Sequence, residues 1–232
     1  ARPAEGLPDD DAVAEVQLLR FVREHGRSAS KIEKLFRRAL QFKSTKLPTE
    51  PPMDVLRVEG YRRFFSACDM PNGEWATRFC PIGVQCGFSL NGCPVKIERL
   101  GQYDLSGITK EKDYRSRLNK FYLGLVDTLQ RRLDGSSVET ETLVQTYEIF
   151  DLAGLSRSML SFTALNFARD VLVAFATHYP SSFRKAVVIN APDFVGRAWG
   201  IVSAVLPQSV KSKVNIMGSN YHAVLEKELT DE

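Results

Sequence analysis

The spacing of apolar residues changes once along this chain, and the change divides it. Before Pro71 the apolar positions recur at helical intervals. Val13, Val16, Leu19 and Val22 or Phe21 predict a helix over 12–24 with that side buried. Ile32, Leu35, Phe36, Ala39 and Leu40 give the stripe of a second half-buried helix, with Ser30 and Glu33 spaced as a capping box at its start. Pro51 and Pro52 suit the first turn of a third helix running to about Ser66, with Val55, Leu56, Phe64 and Phe65 inward.

After Pro71-Asn72-Gly73 the period shortens to two. Val84, Cys86, Phe88 and Leu90 alternate with smaller or polar residues, Asn91-Gly92 forms a turn, and Val95 and Ile97 alternate with Lys96 and Glu98. This predicts a hairpin, with Pro94 marking an edge or a longer loop. Tyr114, Leu118, Phe121, Tyr122, Leu125, Leu129 and Leu133 line one side of a long helix over 111–134, stopped by Gly135. A strand over 143–150, a helix over 158–177, a strand over 186–189, a helix over 194–206, a strand over 214–217 and a short helix over 221–229 follow. Strands alternating with helices predict an α/β fold: a mixed, mostly parallel sheet of about five strands, with a small helical unit over 1–72 and a larger lobe over 73–232. The helix over 194–206 is apolar almost all round, so its outer face must lie under protein, lipid or membrane.

Composition permits a sizeable core, with 232 residues of which 44% are hydrophobic. A net charge of +3 is too small to argue for nucleic acid. The N-terminus is polar and no apolar run reaches membrane-spanning length, which predicts a soluble protein. Cys68, Cys80, Cys86 and Cys93 lack the close pairing of zinc sites, and free thiols are expected ahead of a disulfide or a metal. Residues 20–46 hold nine Lys or Arg against two Glu, either the wet face of two helices or a dock for anionic membrane. For catalysis there is little: His25, His178 and His222 are the only histidines, and no Gly-x-Ser-x-Gly elbow or Gly-rich phosphate loop occurs. An esterase pairing Ser156 or Ser158 with His178 or His222 is the remote alternative, and no enzyme or cofactor is expected.

Five segments in fixed order carry a resemblance: LLRFVRE at 18–24, NGCPVKIERLG at 91–101, FDLAGLS at 150–156, HYPSSFRKAVVINAP at 178–192 and VLPQSVKSKVNIMG at 205–218. Together they resemble the CRAL-TRIO family, in its secretory phosphatidylinositol/phosphatidylcholine-transfer type, over nearly the whole chain. The resemblance implies a sheet flooring one large apolar pocket, a lid at 194–206, and binding or exchange of lipid without covalent chemistry. The expected ligand is a phospholipid or other hydrophobic small molecule, the expected second partner a transient membrane surface, and the expected location cytoplasmic and peripherally membrane-associated. A lipid-sensing module that regulates a partner protein is the alternative.

The resemblance and the residues together nominate Thr146, Glu148, Phe150, Phe175, Ser181 and Lys213 for lipid binding. Phe194, Ala198, Trp199, Ile201, Val202 and Val205 are nominated for the gate. Members that bind phosphatidylinositol resemble this chain at Lys213 but carry an acid where Ser181 stands. Thr146 and Glu148 occupy positions that are Ser and Thr in members binding phosphatidylcholine, so the headgroup does not carry over. Glu148 sits in an otherwise apolar strand and needs a partner: a ligand hydroxyl or amine, or an internal salt bridge with an Arg of the neighbouring helix. Gly196 and Gly200 inside the gate helix suit close packing or mobility.

Overall fold

A computed structural model describes residues 11–26, 28–47, 65–84 and 86–229. Its strands are β1 (Ile82–Gly83), β2 (Val95–Glu98), β3 (Thr146–Asp151), β4 (Phe183–Ile189) and β5 (Val214–Ile216). The helices are α1 (Asp11–His25), α2 (Ala29–Lys46), α3 (Gly73–Ala76), α4 (Leu105–Ile108), α5 (Tyr114–Thr140), α6 (Phe162–His178), α7 (Val195–Ser203), α8 (Gln208–Lys211) and α9 (His222–Glu226). The helix expected from Pro51 lies outside the described residues except for Phe65 and Ser66, and Ser66 caps a 3-10 turn at Ala67–Asp69.

The five strands form one sheet in chain order, β1 antiparallel to β2 and the rest parallel. Parallel neighbours need crossovers of one hand, so a sheet that grows steadily in one direction collects its crossover helices on one face. Accordingly α6 and α7 pack with Phe150, Ala186 and Val214 on one side, and among the described residues Met217 and the short α9 segment, through Tyr221, Leu225 and Leu229, cover the other. The hairpin forms, but with a long loop: Ile82 pairs with Glu98, while Phe88 bridges Pro94 and Ser89 bridges Leu229. β2 is therefore internal, and Pro94 opens it rather than marking an edge. Gly101 is needed because a Cβ there would sit 2.2 Å from the Ala153 carbonyl oxygen, where the loops after β2 and β3 cross.

Two local expectations change. α5 runs through Gly135 to Thr140 and stops at Glu141, whose φ is 51°. Ser137 holds that extra turn, donating to the Leu133 carbonyl at 2.6 Å and accepting from the Val144 amide at 2.9 Å. The Ser30–Glu33 capping box is not used: α2 begins at Ala29 behind Ser28, and Glu33 pairs with Arg37 at 2.9 Å instead.

The buried side of α1 combines the apolar Phe21 with two polar residues. Gln17, Arg20 and Phe21 are buried, whereas Leu19 is half exposed at 50%. Arg20 Nε donates to Asp134 Oδ1 of α5 at 2.7 Å, Nη1 to the Ser181 carbonyl at 2.9 Å, and Nη2 to the Val144 carbonyl at 2.9 Å. One turn on, Glu24 accepts from Ser181 Oγ at 3.0 Å and Lys213 Nζ at 3.2 Å. Asp134 has no accessible surface, so removing Arg20 strands a buried carboxylate. Arg20→Met is expected to cost about 3–5 kcal/mol by urea denaturation, and Arg20→Met with Asp134→Leu to cost clearly less.

His178, at the end of α6, stacks on Phe42 with centroids 3.9 Å apart and planes at 5°. Burial, with Arg38 and Lys43 nearby, lowers its pKa from 6.5 to about 4. The fold thus holds it neutral, and the unfolded chain takes up the proton first, so stability is lost as the pH falls from 6.5 toward about 4. Thermal melts between pH 7 and pH 5 are expected to show this loss, reduced in His178→Phe.

Candidate functional site

The two faces of the sheet are filled unequally. On the α9 side, Val187 is 0% exposed and Tyr147 1%, with Ile149 and Ile189 also buried. On the helix-roofed side, register aligns Lys96, Glu148, Ala186 and Val214 in one row and Glu98, Phe150, Val188 and Ile216 in the next. Phe150, Val188 and Ile216 are only half-buried, although they sit on internal and neighbouring strands beneath helices. Parallel sheets are normally dry on both faces, so a half-open row beneath helices departs from that pattern.

The roof has the same character. α6 is rich in Leu, Phe, Val and Ala, yet among its residues only Ala176 and His178 are buried. Phe175 is half-buried, 5.9 Å from the Phe183 ring, and it joins Phe150, Leu172 and Trp199 around Phe183, Ala186, Leu206 and Val210. In α7, Val195 and Val202 are buried, whereas Phe194, Ala198 and Trp199 are half-buried. Ile201 and Val205 point outward at 61% and 56% exposure. The helix is shorter than the expected 194–206, because the chain leaves it after Ser203 and turns at Leu206-Pro207 into α8. The Arg157 guanidinium lies 5.4 Å over the Phe194 ring, tying the loop after β3 to the base of α7.

At one side of the half-open floor sits a buried polar group. Lys96 Nζ contacts Glu98 Oε1 and stands 3.6 Å from Glu148 Oε2. Thr146 Oγ1 donates to Glu148 Oε1 at 3.0 Å, Tyr103 OH donates to Glu98 Oε2 at 2.8 Å, and the Tyr122 hydroxyl is 2.8 Å from that of Tyr103. Burial disfavours the Lys96 charge, but Glu148 and Glu98 more than offset it and hold its pKa above the usual lysine range. Burial, then Glu98, pushes both tyrosines well up, so they remain neutral. The internal partner of Glu148 is thus a lysine on the adjoining strand, not an arginine of the neighbouring helix. Alternation made Lys96 and Glu98 look solvent-facing. They are buried because β2 is covered on both sides.

Ser181 and Lys213 meet α1 rather than the rest of the nominated set. Ser181 has φ 52°, and its hydroxyl and Lys213 both reach Glu24. Burial would raise the Glu24 pKa, but Ser209, Lys213 and Ser181 outweigh it and keep the carboxylate ionised. Glu24, Lys96, Glu98 and Tyr103 were not nominated from the sequence; the one available signal was charge inside otherwise apolar motifs. In the basic stretch, Arg20 is buried and Lys43 lies 4.9 Å over the Tyr179 ring, while Arg23, Lys31, Lys34, Arg37, Arg38 and Lys46 are exposed.

The remaining chemistry does not converge. Ser156 and Ser158 bond each other at 2.8 Å ahead of α6, whereas His178 lies at its far end and His222 stacks on Tyr221. The four cysteines are free, and burial pushes the Cys80 thiol up to about 12. Among the described residues no cluster of metal-ligating side chains occurs, and no helix is long and apolar enough to cross a membrane.

Comparison with known proteins agrees with this geometry. A CRAL-TRIO domain-containing protein of Caenorhabditis elegans is 30% identical over 130 residues, 55% of this chain and 31% of its own. The SEC14 cytosolic factor of Eremothecium gossypii is 30% identical over 61% of this chain and 46% of its own. A phosphatidylinositol/phosphatidylcholine transfer protein of Arabidopsis thaliana, SFH11, is 26% identical over 56% of this chain and 35% of its own. The chain thus spans less than half the length of these relatives. The crystal structure of Sfh5 superposes with a TM-score of 0.64 at 13% identity, covering 90% of this chain and 68% of that one, a likeness of fold. Residues 81–232, more than half of the chain, match the CRAL/TRIO domain, and the chain belongs to that family.

Proposed function

We propose that this protein binds a phospholipid or other lipophilic molecule in the space between the β2–β5 floor and α6–α7, and exchanges it between membranes without covalent chemistry. The supporting observation is the half-open row Phe150, Val188 and Ile216, set against the buried Tyr147, Ile149, Val187 and Ile189 of the opposite face. Relatives named as phosphatidylinositol/phosphatidylcholine transfer proteins support the same reading. In it, residues 73–232 form the lipid-binding lobe and 1–72 the helical unit against it, in a cytoplasmic protein that visits membrane surfaces.

The energetics favour a carrier. A diacyl lipid crossing water exposes tens of methylenes at ~0.8 kcal/mol each, a barrier on the order of 20 kcal/mol or more. A second hydrocarbon environment makes the transfer nearly neutral, leaving lid movement as the main requirement. The exposed Ile201 of α7 and Val205 just beyond it supply a membrane-facing edge, while Val202 is buried and Trp199 packs in one cluster with Phe150 and Phe175. Thr146 and Glu148 supply polarity at the floor.

Ile201→Asp and Val205→Asp are expected to slow intermembrane transfer of labelled lipid roughly tenfold or more each, since burying either residue contributes about 1.5–3 kcal/mol at a membrane. Their melting temperatures should stay near that of the parent, because both side chains already face solvent. Unchanged transfer would overturn the gate assignment. Tight lipid retention without exchange in the parent protein would favour a sensing module.

A further inference from the structure

We infer that the Lys96–Glu98–Glu148 group selects the polar end of the bound lipid, accepting a hydrogen-bond donor, either a hydroxyl or an ammonium, and rejecting an anionic end. This rests on the lipid-pocket reading above and adds the chemistry of the ligand.

The group holds one cation against two carboxylates, with Tyr103 and Tyr122 neutral, so it carries a net negative charge beside the pocket floor. Its donors are already directed inward. Thr146 Oγ1 donates to Glu148 Oε1, Tyr103 OH to Glu98 Oε2, and Lys96 Nζ contacts Glu98 Oε1. Both oxygens of Glu98 are thereby occupied. Glu148 Oε2 is different: among the described residues its one partner is Lys96 Nζ at 3.6 Å, an ion pair too long for a direct hydrogen bond. The Glu148 side chain is 9% exposed, and Oε2 is not among the fully sealed acceptors, so it can be reached from the half-open side.

The surplus of this site is therefore an acceptor with negative charge behind it. Phe150, whose ring is 5.2 Å from Lys96 Nζ, starts the half-open apolar row that continues through Val188 and Ile216. A hydrocarbon tail lying on that row brings its end group toward Glu148. A hydroxyl or ammonium there completes the Glu148 hydrogen bonding. A carboxylate, or a phosphate with no hydroxyl or ammonium beyond it, adds like charge at low dielectric and finds no free donor except by breaking the existing pairs.

The test offers purified full chain, at neutral pH, phosphatidylcholine vesicles doped equally with octadecanol, octadecylamine or octadecanoic acid, and reads bound probe by native mass spectrometry. The alcohol, the amine or both are expected to load about tenfold over the acid, about 1.4 kcal/mol. Preference for the amine identifies charge as the selecting force, and parity of alcohol and amine identifies the hydrogen bond. In Glu148→Gln, which keeps the shape and the Thr146 contact, the ratio of amine to acid should fall several-fold. Acid loading equal to or above both other probes in the parent protein overturns the inference while leaving the lipid pocket intact. An unchanged ratio in folded Glu148→Gln overturns the role of Glu148. If phosphatidylcholine loads and no probe does, the inference is overturned while the pocket stands; if neither loads, the pocket reading itself fails and this inference with it.

Discussion

The Arg20–Asp134 pair is the contact on which the arrangement of the rest depends. Its guanidinium binds the α5 carboxylate, the carbonyl ahead of β3 and the carbonyl ahead of β4, so one side chain sets three segments against α1. Burying two charges is costly, and the cost is recovered only when the geometry satisfies nearly every donor. Such an interaction adds little net stability over a well-packed apolar pair, but it tolerates few alternatives. Here it fixes where α5 ends, where the sheet begins, and how close α1 comes to Lys213 through Glu24.

With the strand origins held, the open end of the lobe is left to the other ends of the same strands. The packed face of Tyr147, Ile149 and Val187 and the half-open face of Phe150, Val188 and Ile216 belong to one sheet. Stability and accommodation are thus separated by the alternation of side chains along β3 and β4. The solid side anchors the floor. The roofed side leaves apolar side chains of α6 and α7 only partly buried among the described residues. Lys96 stays charged beside this row because Glu148 and Glu98 more than offset the cost of its burial.

Most of the scaffold could be read along the chain. β3 and β4 announce themselves by β-branched and aromatic runs, α6 by continuous helix formers behind Ser161, and the five ordered motifs by their spacing. The register of the floor and the fill of its two faces could not, because neither leaves a periodic trace. Periodicity on α1 found Phe21 but not the buried charges: Leu19 is exposed, and Arg20 and Glu24 are drawn in by partners more than a hundred residues away. Gly135 misled for a related reason, since an intrinsic helix stop yields when Ser137 and Asp134 are fastened by Arg20.

The amino-acid order by itself determined the α/β alternation, the mostly parallel sheet and the apolar character of the 194–206 segment, because these follow from local propensity and hydrophobic period. Only the tertiary structure decided which charges are buried, that Glu148 answers to Lys96, that Ser181 and Lys213 turn to Glu24, and that Ile201 and Val205 rather than Val202 face outward. Partner choice for a charge depends on distances between segments remote in sequence, and the energy of a buried pair depends on a dielectric environment that exists only once the chain has folded.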